Sequence, residues 1–137
     1  MEDSKLFNLK VVTPDRIFYD GMAEMVELKT TEGDIGILKG HIPLTAVVAP
    51  GALIIKEADD TKEAALIDGI VRILQDSVTI LAQSCEWPDE IDVNRANEAK
   101  IRAERRLAGK EGDVNFQRAE LALKRSITRL EVADKYK

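Results

Sequence analysis

The sequence predicts a mainly β body followed by a C-terminal α segment: an antiparallel β-sandwich or barrel over residues 1–87, then an antiparallel two-helix hairpin over residues 88–137. Two observations carry this reading. Turn-forming residues recur at short intervals through the first part and separate short β-rich runs. After Pro88 the apolar period lengthens from two residues to between three and four.

The β elements come in order. Leu9 and Val11 share one parity, and Met22, Glu24, Val26 and Leu28 continue a period of two with one charged interruption. Turn signals stand at Thr13-Pro14-Asp15, Asp20-Gly21, Glu32-Gly33-Asp34, Lys39-Gly40, Ala49-Pro50-Gly51, Asp59-Asp60 and Asp76-Ser77. Between them lie Ile35–Leu38, Ala52–Lys56, Ala64–Ile67, Ile70–Leu74 and Val78–Ala82. This spacing leaves little room for crossover helices, which argues against a parallel sheet.

The helices follow. Asp92 to Leu107 contains no proline or glycine, and Ala96, Ala99, Ala103 and Leu107 form a narrow apolar stripe. Gly109-Lys110-Glu111-Gly112-Asp113 breaks the pattern. A second helix is expected from about Val114 to Lys135, with Phe116, Ala119, Leu123, Ile127 and Leu130 on one face. Alanine contacts bury little apolar area, and helices of this length are marginal without tertiary support. The hairpin is therefore expected to have more than one packing arrangement.

Charge separates the two parts. Residues 1–88 hold 8 Lys+Arg against 15 Asp+Glu, while residues 89–137 hold 12 against 10. The acidic body argues against nucleic acid as a partner of the whole chain. Aromatic residues make up 4%, too few for a base-stacking platform. Cys85 is the one cysteine, so no disulfide forms within a chain, and a buried thiol in a reducing compartment is expected. No apolar run approaches the roughly 20 residues needed to span a bilayer, and Met1–Lys5 does not read as a signal peptide.

Catalytic signals are sparse. His41, the single histidine, sits in Gly40-His41-Ile42-Pro43-Leu44 and reads as structural. No phosphate-binding glycine loop or dinucleotide fingerprint occurs. In Ile91-Asp92-Val93-Asn94-Arg95-Ala96, Asp92 suits an N-cap and Ile91 a staple onto Ala96. Arg95 opposes the helix dipole and hints at an anionic partner. Arg95, Arg102 and Arg106 share a face of the first helix, as do Arg118, Arg125 and Arg129 of the second, with Lys124 beside them. These faces suit solvent with local ion pairs such as Glu98–Arg102, or else phosphates or an acidic protein surface.

At these residues the sequence resembles the epsilon subunit of bacterial F-type ATP synthases, in its Bacillus-type, ATP-binding form. The likeness runs through Val11–Asp15, Gly33–Leu38, Gly40–Leu44, Asp76–Ala82, Arg102–Leu107 and Arg118–Arg125. It implies a non-catalytic central-stalk rotor subunit at the cytoplasmic face of the membrane, held there by a proton- or sodium-translocating complex. The sandwich would bind the gamma subunit and the c-ring, with Gly40, His41, Ile42 and Pro43 at the rotor interface. The hairpin would fold onto the sandwich or extend toward the alpha and beta subunits, and the extended form would suppress ATP hydrolysis. Arg118, Lys124, Arg125 and Arg129 would meet the beta subunit there. ATP, as a regulatory ligand that is not hydrolysed, would favour the folded form through Glu86, Ile91, Asp92, Arg95, Ala96, Arg102, Arg125 and Arg129. No catalytic cofactor and no metal are implied. The alternative is the same subunit with a purely inhibitory hairpin that does not bind ATP. Rivals from other classes are a nucleotide-processing enzyme and a generic adaptor. Departures from the family pattern are Lys39, Ile67-Asp68-Gly69-Ile70 and Trp87-Pro88, the last expected to affect ATP affinity or the hinge.

Overall fold

A computed structural model describes residues 5–109 and 115–135. Eight strands come first: β1 (Phe7–Thr13), β2 (Arg16–Ala23), β3 (Met25–Thr30), β4 (Gly33–Leu38), β5 (Leu44–Val48), β6 (Gly51–Lys56), β7 (Thr61–Ile73) and β8 (Ser77–Glu86). A 3-10 turn, Pro88–Glu90, leads into helices α1 (Val93–Leu107) and α2 (Phe116–Lys135). The expected sandwich and helical pair are both present. Of the hairpin loop expected at Gly109–Asp113, Gly109 is described, at φ 72°, while Lys110–Asp113, and Val114 as a helix start, lie outside the described residues.

One layer of the sandwich runs β2-β1-β8-β7-β5, and the other joins β4, β3, β6 and the first half of β7. Alternation drives the layers together: Phe7, Leu9 and Val11 of β1 point inward and are buried, as are Val26 and Leu28 of β3. The core also takes Ile37, Leu53, Ile55, Leu66, Ile73, Ile80 and Cys85. Burial pushes the Cys85 thiol up to about 12, so it stays protonated at neutral pH.

Four local expectations change. The pair β1–β8 is parallel, with Leu9 beside Val78 and Val11 beside Ile80. The strands between them supply the long crossover that a parallel pair needs, so no helix is required. The run from Met22 to Leu28 is two strands: Met22 lies in β2, Val26 in β3, and Glu24 falls between them. Asp20-Gly21 is no turn but part of β2. Finally, Ala64–Ile67 and Ile70–Leu74 are not separate, because β7 runs through them from Thr61 to Ile73.

That continuous strand turns a corner. Its first half pairs with β6, placing Leu66 opposite Gly51, and its second half pairs with β5, placing Gly69 opposite Val48. Inward side chains switch from Ala64 and Leu66 to Val71 and Ile73, a change of parity. The switch is made by Asp68 at φ 54° and Gly69 at φ 136°. A Cβ on Gly69 would stand 2.1 Å from the Leu81 carbonyl oxygen, so glycine is required there.

The helices stack outward from the body. Helix α2 lies on β6 and β7, and α1 packs on α2. Of the alanine stripe, Ala96 and Ala103 are buried while Ala99 and Leu107 are half-buried. Of the expected α2 stripe, Ala119 is buried, Leu123, Ile127 and Leu130 are half-buried and Phe116 is exposed; Ser126, Thr128, Val132 and Ala133, outside that stripe, are buried. A helix wedged between a sheet and another helix buries two faces, which a single-stripe reading misses.

Candidate functional site at the seam between body and arm

Arginines of α2 meet carboxylates of the sandwich along this seam. Arg125 donates from Nε and Nη2 to Oδ2 of Asp68, at 2.9 and 2.6 Å. Arg129 Nε donates to Glu86 Oε1 at 2.7 Å, and its Nη2 lies 3.3 Å from Ser84 Oγ. Lys135 Nζ lies 3.2 Å from both carboxylate oxygens of Glu63. Sheet register assembles the acidic side, because Ala65 sits opposite Glu86 and Ile67 opposite Ser84. Helical periodicity assembles the other, since Arg125, Arg129, Val132 and Ala133 fall on one face. An apolar cluster of Ala65, Ile91, Val132 and Ala133 closes one end, with Ala52 against it.

The chain enters the arm at this cluster. Trp87 stacks on Phe18 with ring centroids 4.3 Å apart and meets Tyr19 edge-on. Glu90 accepts from the Trp87 amide at 2.9 Å and from Arg16 Nη2 at 2.8 Å. The hydrogen bond from Arg16 is the main cause holding the Glu90 carboxyl below its ordinary range. The linker as far as Glu90 is thus fastened to the sandwich. Asp92 caps α1, its Oδ1 accepting from the Arg95 amide at 3.0 Å, as its position suggests. Ile91 is buried against Ala65 and α2, a longer-range role than a staple within α1.

The structure therefore brings Glu86 and Arg129 into contact, and sets Ile91 in the apolar cluster beside them. Asp92 and Ala96 occupy the first turn of α1, Ala96 buried. Arg125 reaches Asp68 instead, a partner that sequence reasoning did not assign. Arg95 and Arg102 are exposed, and among the described residues neither forms an ion pair; nor does Glu98 pair with Arg102. Arg118 and Lys124 are exposed on α2, where Asn115 Oδ1 accepts from the Arg118 amide at 3.1 Å.

A second region lies at one end of the sandwich. Gly40 adopts φ 85°, a left-handed turn suited to glycine, and its amide donates to the Gln75 carbonyl at 2.9 Å. His41 Nδ1 is 2.7 Å from the Ile42 carbonyl oxygen, which only accepts, so that nitrogen carries the proton. Ile42 is 77% exposed and Pro43 is exposed beside it. Leu38, Leu44 and Leu74 are exposed large apolar residues next to the same loop pair.

Strand register also lines up Val47, Ile70, Leu81, Val12 and Ile17 across five strands. Directly opposed residues share a face. Val12 is half-buried, and the other four are 47–58% exposed. Sequence reading missed this row, because β5, β7 and β8 carry apolar residues at both parities. The signal was those doubly apolar strands themselves, which imply a second covered face.

Comparison with known proteins settles the family. Residues 6–88 match the family described as ATP synthase, Delta/Epsilon chain, beta-sandwich domain, and residues 89–134 match the Delta/Epsilon chain long alpha-helix domain. The chain belongs to the ATP synthase delta/epsilon family. It is 48% identical to the ATP synthase epsilon chain of Caldanaerobacter subterraneus subsp. tengcongensis, over 96% of both chains. It is 45% identical to that of Ruminococcus albus, over 95% of this chain and 98% of the other. It is 46% identical to that of Bacillus cytotoxicus, with the same two coverages. Among solved structures, a chain of the Euglena gracilis mitochondrial ATP synthase superposes with a TM-score of 0.80 at 20% identity, covering 97% of this chain and 84% of that one. A chain from the central stalk and c-ring of the Tetrahymena thermophila enzyme gives 0.59 at 17%, covering 98% of each. At those identities the likeness is one of fold. As a delta/epsilon chain the protein is an accessory subunit rather than a catalytic one.

Proposed function

We propose that the chain is a rotor subunit of the F-type central stalk, coupling gamma to the c-ring, and that its hairpin restrains ATP hydrolysis when it extends. The exposed row Val47–Ile70–Leu81–Val12–Ile17 suits a protein partner such as gamma, because a monomer rarely leaves so long an apolar band in water. The apolar loop around Ile42 suits the c-ring, and with that partner the subunit would sit peripherally at the cytoplasmic side. Among the described residues no helix is long and apolar enough to cross a membrane.

We further propose that ATP binds at the seam and favours the folded arm. The observation that carries this is the position of Arg125 and Arg129: both leave α2 at the surface where the arm meets the body. A phosphate chain gripped there would touch both parts and so report the arm's pose. Ile91 and Ala96 offer apolar contact, Asp92 positions the first turn, and the exposed Arg95 and Arg102 supply further cations. ATP at about ten times its dissociation constant would stabilise the folded arm by roughly 1.4 kcal/mol. Equilibrium dialysis of the full chain tests this: saturable binding is expected, weakened by Asp92→Ala with Arg95→Ala. Absence of binding up to millimolar ATP removes the sensor.

The alternative, a purely inhibitory hairpin, draws on a different feature of the same pairs. Asp68 and Glu86 already satisfy Arg125 and Arg129. Arg118 and Lys124 stand exposed, ready for an acidic surface of the beta subunit. This reading predicts no ATP binding, yet faster hydrolysis by the assembled complex once residues 91–137 are deleted.

A further inference from the structure

We propose that the corner of β7 is a clamp for the arm: Asp68 holds a left-handed backbone so that its carboxylate meets Arg125, and this pair sets how often α2 leaves the body. Asp68 is the one described non-glycine residue at positive φ. Such a conformation carries a cost for any residue with a Cβ, and aspartate and asparagine tolerate it best. The position lies where β7 passes from one layer to the other, so the strand cannot straighten without breaking both layers. At that point the carboxylate is 20% exposed and takes two donors from one guanidinium.

Little else ties this part of α2 down. The apolar cluster lies toward the other end, at Val132 and Ala133. Beside Asp68 the helix instead borders a groove of about 750 Å³, walled by Leu121, Lys124 and Ile127 on one side and by Lys29 and Val47 on the other. The arm is thus pinned toward its C-terminal end by apolar packing and by the Arg129–Glu86 and Lys135–Glu63 pairs, and nearer its middle by the Arg125–Asp68 pair. This inference goes beyond nucleotide sensing, since the clamp is internal and needs no ligand.

The test uses the full chain without nucleotide, so that failure of the ATP proposal leaves it readable. Spin labels at Glu32→Cys in the β3–β4 turn and Glu104→Cys on α1 report the docked and undocked populations by pulsed dipolar distances. Cys85 is buried and escapes labelling. Asp68→Asn keeps the shape and the tolerance for positive φ but loses the charge. It is expected to lower the docked-to-undocked ratio about fivefold, as for loss of a partly exposed ion pair. Arg125→Gln should give the same loss, and the double variant no more than either alone. Asp68→Gly should undock the arm equally while leaving the melting of the sandwich unchanged or raised, because glycine suits that backbone. A ratio within twofold of the parent in Asp68→Asn, or losses that add in the double variant, overturns the clamp.

Discussion

The sandwich and the seam beneath the hairpin are held by different means. Inside the sandwich, Leu53, Ile55, Ile73 and Ile80 are fully buried and interlock from both layers. At about 25 cal/mol per Å², each such side chain contributes roughly 1.5–3 kcal/mol. Along the seam the contacts are Ala65, Ile91, Val132 and Ala133, and α1 buries only Ala96 and Ala103 among the described residues. Three ion pairs supplement them, each partly exposed and worth at most about 1 kcal/mol. A groove remains open along part of α2. The difference in burial predicts two grades of cohesion: a body expected to unfold as a unit, and an arm expected to come away while the body stays folded.

The largest effect is expected from attacking the body at its corner. Gly69→Ala would drive a Cβ onto the Leu81 carbonyl, so global stability should fall by more than about 3 kcal/mol in urea unfolding. Leu53→Ala should cost about 3 kcal/mol by the same measurement, through the cavity it leaves. Val132→Ala probes the other side of the comparison. It should weaken docking of the arm by about 1–2 kcal/mol, read as faster hydrogen exchange in α2, with the sandwich transition unmoved. A fall in the sandwich transition instead would merge the two grades into one.

Two smaller effects sharpen the boundary. Glu86→Gln should reduce docking by about 1 kcal/mol through Arg129, without changing the body. The Glu90 carboxyl titrates below its ordinary range when folded, so its contribution is complete above the unfolded value of about 4.3 and fades as pH falls through the lower folded value. Trp87, the one tryptophan, reports this. Its fluorescence should shift on acidification below about pH 4, with the midpoint displaced in Arg16→Gln, whose carboxylate partner has lost its cation.

Much of the architecture was legible because local rules and tertiary structure agree. Pro14, Gly33, Gly40, Pro50 and Asp60 mark true chain reversals, and Asp92 caps α1 where the spacing puts it. Elsewhere a local signal was overruled by pairing. Asp20-Gly21 has turn chemistry but is held in β2 by the partner strand β1. Asp68-Gly69 looked like a gap between strands, yet hydrogen bonding to β8 on both sides carries β7 through it. The arginines of α2 were visible as a face, whereas Glu86 entered only through the family resemblance. Asp68 was not linked to Arg125, because 57 residues separate them and the corner that joins them has no period. The exposed apolar row stayed hidden for a related reason: alternation says which residues share a face, not which face meets a partner.

Residue-resolved hydrogen exchange at increasing urea tests the two grades of cohesion most directly. The account predicts that amides of α2 around Ile127 and Val132 open with a free energy several kcal/mol below that of Leu66 and Ile80, and with a smaller urea dependence. A single opening free energy and a single urea slope shared by helix and strand amides would contradict it.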